Sequence, residues 1–136
     1  MDKGYRSIAL ASSILFSAFA ALQWNDPDPW LWIFIYGFAA FLCWSCHRGR
    51  LPMTAVRICI GVCILYGSFL IFDKDGVVSW ISEHRAESIV QTMKAEKPWI
   101  EKTREFGGLA IVVGVLSYLS SGFNRSKRDA PGDPAE

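Results

Sequence analysis

Four long apolar runs, at residues 7–24, 30–46, 53–72 and 106–123, alternate with polar stretches along the chain. At about 1.5 Å of rise per residue, each is long enough to cross the hydrocarbon core of a bilayer as a helix. The first two are joined by Gln23-Trp24-Asn25-Asp26-Pro27-Asp28-Pro29-Trp30, where each of two carboxylates precedes a proline. A residue before proline is pushed out of the α region, so a helix arriving from the left must stop here. Pro29 instead suits the first turn of a helix leaving to the right. Trp24, Trp30 and Trp32 flank the turn, and amphipathic rings favour a membrane–water boundary. The pattern predicts a hairpin apex at a bilayer surface.

The polar stretch from Asp73 to Glu105 is the longest break between spans. Asp73-Lys74-Asp75-Gly76 opens it as a turn. Val77, Ile81, Ala86, Ile89, Val90 and Met93 then follow helical spacing with charges between them, which predicts an amphipathic helix over 77–94. Pro98 ends it, and a new helix carries Glu101, Arg104 and Glu105 into the last span. Small residues recur along three spans: Ala9, Ser13, Ser17 and Ala21; Cys59, Cys63 and Gly67; Gly107, Ala110, Gly114, Ser117 and Ser121. Such stripes let helices approach closely in a membrane. The expected fold class is all-α: an integral membrane four-helix bundle over residues 1–123, with an additional amphipathic helix between spans three and four. The tail from 124 to 136 is polar, carries two prolines and a glycine, and reads as disordered.

Composition strengthens the membrane reading. Hydrophobic residues make up 51% of 136, six of them Trp, more than so small a soluble domain could bury. A net charge of +1 gives no generic affinity for nucleic acid, so the bilayer is the expected environment. Lys3 and Arg6, then Arg48, Arg50 and Arg57, then Arg125, Lys127 and Arg128 mark three segments on one side. The positive-inside rule makes that side cytoplasmic, with both termini in, the apex and residues 73–105 extracytoplasmic, and the cell membrane as location. Lys3, Arg6 and Ala18-Phe19-Ala20 also resemble a cleaved signal peptide, but the apolar run continues to Trp24 and ends in a hairpin turn. A mature N-terminus near Ala21 would overturn the four-span reading.

The predicted topology brings Asn25, Asp26 and Asp28 to the same mouth as Glu101, Arg104 and Glu105. Glu101 and Glu105 share a helix face, with Arg104 beside it. Two readings stand side by side. In one, an ion pair from Arg104 to the apex locks the fourth span to the first hairpin. In the other, carboxylates and an amide converge on a ligand, and oxygen donors of that kind favour a hard cation. Cys43-Trp44-Ser45-Cys46-His47 matches the pattern of covalent c-type haem attachment, yet it falls at the cytoplasmic end of a span. All four cysteines lie in apolar runs, where Cys packs as a small hydrophobe; a thiol-redox role is the alternative to packing. Asp73-Lys74-Asp75-Gly76 lacks the later ligands of a calcium loop. His47 and His84 have no companions for zinc. No phosphate loop and no nucleophile–base pair is present, so no cofactor is expected, and the balance leans against an enzyme without deciding it.

Gln23-Trp24-Asn25-Asp26-Pro27-Asp28, an aromatic span with Tyr36, and Arg104-Glu105-Phe106-Gly107-Gly108-Leu109 together resemble the transmembrane protein 220 family of small multi-span proteins. The Asn-Asp-Pro-Asp apex is the more specific element, and Pro29 and the Gly107-Gly108 pair vary the pattern. The resemblance implies a multi-span membrane protein and names no reaction. The expected function is a non-enzymatic structural or interaction component of the membrane, packing against a partner protein or a second copy. The alternative is a ligand-binding, cation-binding or catalytic bundle with its site at the extracytoplasmic mouth, at Asn25, Asp26, Asp28, Glu101, Arg104 and Glu105.

Overall fold

The structure, a computed structural model, describes residues 1–72 and 98–131, with residues 98–101 described by their backbone. The expected turn at 73–76, the amphipathic helix at 77–94 and the last residues of the tail, 132–136, lie outside the described residues. Within them the chain forms helices α1 (Lys3–Leu22), α2 (Pro29–His47), α3 (Met53–Phe72) and α4 (Pro98–Asp129), all long and apolar enough to cross a membrane. The chain is an all-α membrane bundle.

The proline apex behaves as its chemistry requires. After α1 a single 3₁₀ turn covers Gln23–Asn25, and Asp26, held before Pro27, is extended with φ −78° and ψ 151°. The Asp26 Oδ1 accepts the backbone N–H of Asp28 at 3.2 Å, an Asx turn that links the two helices. Pro29 then occupies the first turn of α2. At the far end of α2 the basic turn closes as a Schellman cap: Gly49 N–H donates to the Cys46 carbonyl and Arg50 N–H to that of Ser45, both at 2.9 Å. Gly49 adopts φ 76°, which a residue without Cβ reaches at little cost.

Two pairs of helices make the bundle. The hairpin of α1 and α2 packs along its length, α3 packs on α4, and contacts between α2 and α4 join the pairs. Phe16, Trp32, Leu42, Val56, Leu70, Leu109, Val112, Leu116 and Leu119 form the centre, all almost wholly buried. Outward, Ile14, Phe34, Leu65 and Phe69 are more than half exposed, the belt that acyl chains cover in a bilayer. The polar Ser13 is buried between α1 and α2 because its Oγ donates to the Ala40 carbonyl at 2.9 Å.

Two stripes differ from expectation. On α1 Ala9 and Ser13 are buried but Ser17 and Ala21 are exposed, and Phe16 takes the next inward position. Steps of four residues drift about 40° each around a 3.6-residue helix, so a strict stripe leaves the interface within three steps. On α4 Ala110, Gly114, Ser117 and Ser121 are exposed, and Leu109, Val112, Leu116 and Leu119 face inward instead. Both sets on α4 share one heptad period, which fixes spacing and leaves the phase open. On α3, Cys59, Cys63 and Gly67 are buried as expected, with Gly67 against Phe106 and Leu109.

The start of the tail also departs from the disorder expected for it. Helix α4 continues six residues past Phe123, through Asp129. No helix breaker occurs before Pro131, and propagating an existing helix costs little. Lys127 and Arg128 in its last turn oppose the negative end of the helix dipole.

Candidate functional site

At the apex end, α1, the 3₁₀ turn, α2 and α4 line an open cavity of about 330 Å³. Gln23 and Asp26 enter its lining from the apex, Trp32 and Tyr36 from α2, and Arg104 and Glu105 from the first turns of α4. Three of the six expected residues therefore meet: Asp26, Arg104 and Glu105. Asn25 and Asp28 are exposed and do not line the cavity. Asp28 instead contributes its backbone N–H to the Asx turn. Glu101 belongs to α4, and its side chain lies outside the described residues.

One polar contact in this lining crosses between the helix pairs. Trp32 is 1% exposed, and its Nε1–H donates to Glu105 Oε1 at 3.1 Å. A buried indole N–H needs an acceptor, and a carboxylate is a strong one, contributing about 1.5–3 kcal/mol. The ring of Trp32 also stands 6.0 Å from Tyr36 and 5.9 Å from Tyr66 of α3, centroid to centroid. Trp32 thus touches both members of the second helix pair. Arg104 is itself engaged and is not a free cation.

Tyr36 sits between Phe16, stacked at 6.3 Å, and Phe19, edge-on at 5.5 Å. Its hydroxyl reaches across to α4, where Gly108 leaves the space it occupies. Gln23, Trp32 and Gly108 were not among the expected site residues. The signal for Trp32 was available, since a span centred on apolar residues offers an indole N–H few acceptors apart from a carboxylate at a helix end.

The arrangement offers an acceptor-rich, charged mouth: two carboxylates, a guanidinium, an amide and a phenol. Among the described residues no three His, Cys, Asp or Glu side chains are grouped to hold a metal ion. The cysteines are elsewhere and are packed away. Cys43 and Cys46 are fully buried, and Tyr5 Oη lies 3.3 Å from Cys46 Sγ. His47 is tied to α1, its Nδ1 lying 3.0 Å from the Arg6 carbonyl oxygen.

Comparison with known proteins bears on the whole bundle. A pheromone-regulated membrane protein 10 of Pichia sorbitophila is 27% identical over 100 residues, which is 73% of this chain. The match spans 10% of that relative's own length. No solved structure matches this chain. Residues 15–121, from the middle of α1 to the end of the fourth span, match the model described as "Transmembrane family 220, helix", and the chain belongs to that family.

Proposed function

We propose that this chain is a non-enzymatic structural or interaction component of the cell membrane, multi-pass with both termini cytoplasmic. Its apex-end polar cluster acts as a lock between the two helix pairs. One observation carries this reading: the hydrogen bond from Trp32 Nε1 to Glu105 Oε1, between residues 73 positions apart. Such a bond in a membrane bundle holds helices whose apolar surfaces give no strong preference for each other over lipid. The exposed small residues Ala110, Gly114, Ser117 and Ser121 support an interaction role, since a partner helix or a second copy can approach closely there.

A double-mutant cycle tests the lock. Trp32→Phe and Glu105→Gln each lower the unfolding midpoint in micelles, and together they cost less than the sum of the two. Strict additivity would remove the lock. Native mass spectrometry after gentle extraction tests the interaction role, with a second polypeptide or a second copy as the expected extra mass.

The cavity itself favours a second reading, a small polar ligand held among Gln23, Asp26, Arg104 and Glu105. About 330 Å³ lined by charges of both signs suits such a ligand. A small retained mass that disappears in a folded Asp26→Asn variant would shift the weight to this reading.

A further inference from the structure

At the end of the bundle away from the apex, cations from α1, α4 and the turn after α2 line one cleft. Arg6 of α1, Arg48 beyond α2 and Lys127 of α4 line about 390 Å³ together with Gly49, Phe123 and Ser126. No carboxylate is part of that lining, and among the described residues none of the three cations is in an ion pair. Like charges gathered without a counter-ion repel one another, and an anion in the cleft reverses the sign of that interaction.

The cations are positioned, not merely nearby. Arg6 Nε donates to the His47 carbonyl at 3.0 Å, which anchors the guanidinium while leaving its terminal nitrogens to another acceptor. The Schellman turn at Gly49 fixes the backbone that carries Arg48. Lys127 is supplied by the continuation of α4 past its apolar span. A helix ending at Phe123 would leave the cleft without that wall.

Phe123 is the last apolar residue of the fourth span, so the cleft lies where the hydrocarbon-facing surface gives way to charge. That is the depth of lipid headgroups. We propose that this cleft binds the phosphate of an anionic phospholipid headgroup, with Arg6, Arg48 and Lys127 as its ligands. Two guanidinium groups and an ammonium match phosphate oxygens, and Ser126 adds a hydroxyl donor. Phe123 and Met1, also in the lining, contact the start of the acyl chains.

The test uses the full chain in micelles titrated with phosphatidylglycerol or phosphatidylcholine of matched chains, read by native mass spectrometry. The wild type retains phosphatidylglycerol in preference to phosphatidylcholine. Arg48→Gln/Lys127→Gln loses that affinity by about tenfold or more, because each change removes a charge-assisted contact to the phosphate. Arg50→Gln/Arg57→Gln removes as much charge from residues outside the cleft lining, which make no contact to the phosphate, and stays within about twofold. The conservative Arg48→Lys/Lys127→Arg keeps most of the binding. Should the first pair fail to fold, Lys127→Gln at an exposed position carries the test with a loss of about fivefold. Equal retention of the two lipids, or equal losses in the two Gln pairs, would overturn the site. Glycerol phosphate binding as tightly as the lipid would assign the cleft to a soluble anion instead.

Discussion

Tyr36 of α2 rests on the backbone of Gly108 of α4, and a Cβ at 108 would overlap its hydroxyl and stand 3.1 Å from its Cζ. Two heptads further along the same helix, Gly122 receives Tyr5 of α1 in the same way. These two nests, one at each end of the bundle, set the rotation of α4 about its own axis. With α4 turned to receive both tyrosines, the Leu and Val seam faces inward and the small-residue seam faces out.

Gly108→Ala and Gly114→Ala therefore have opposite outcomes. At 108 the added methyl forces Tyr36 to move, an overpacking cost of about 1–3 kcal/mol. At 114 nothing lies within 4 Å of the new Cβ, and alanine is the better helix former by about 1 kcal/mol, so stability holds or rises. Thermal unfolding in micelles separates the two, and equal losses at both positions would mean that α4 is rotated from the orientation described.

At the other nest, Tyr5 donates its hydroxyl to the Leu119 carbonyl and lies beside Cys46. Tyr5→Phe loses about 1 kcal/mol with that hydrogen bond. Gly122→Ala costs more in the wild type than in a Tyr5→Ala background, where the ring that the methyl would strike is gone. A double-mutant cycle on unfolding midpoints reads the coupling; no coupling would separate Tyr5 from Gly122.

How much of this was legible follows from what each signal encodes. The helix boundaries at the apex were local chemistry: Asp26 and Asp28 before prolines must leave the α region, and they do. The antiparallel order followed from four runs joined by turns, so Asp26, Arg104 and Glu105 were expected at one mouth. Phase was not legible. Gly107-Ala110-Gly114-Ser117-Ser121 and Leu109-Val112-Leu116-Leu119 share a period, and contacts with other helices choose between them, Tyr36 and Tyr5 at the glycines and Gly67 at Leu109. For Trp32 the need for a carboxylate at a helix end was legible, but which carboxylate was not, because Glu105 is distant in sequence and their meeting is a product of packing. The helical stretch 124–129 was hidden by its polarity, although nothing in it breaks a helix.

Ser13 separates hydrogen bonding from close approach. Ser13→Ala removes the donor to the Ala40 carbonyl, at an expected cost of about 0.6 kcal/mol. Ser13→Leu costs several times more, because the buried position between α1 and α2 has no room for a branched side chain. Ser17→Leu and Ala21→Leu, at exposed positions one and two turns further on, leave stability unchanged. Unfolding midpoints of the four variants check the drift of the stripe away from the interface; a large loss in Ser17→Leu would contradict it.

Gly49 is the position where the backbone itself makes a prediction. Its φ of 76° lies in the left-handed region, where a Cβ crowds the following carbonyl. Gly49→Ala is expected to cost about 1 kcal/mol, and Gly49→Asn less, because asparagine tolerates this conformation. Space is not the cause, since the nearest atom to a new Cβ is the end of the Met1 side chain at 4.0 Å. The two Schellman hydrogen bonds, from Gly49 and Arg50, weaken with the turn, so their amides exchange faster in Gly49→Ala. Hydrogen exchange at residues 49 and 50 reads this directly. Faster exchange in Gly49→Ala than in Gly49→Asn assigns the cost to φ, whereas identical exchange in the two would assign it to bulk at the turn.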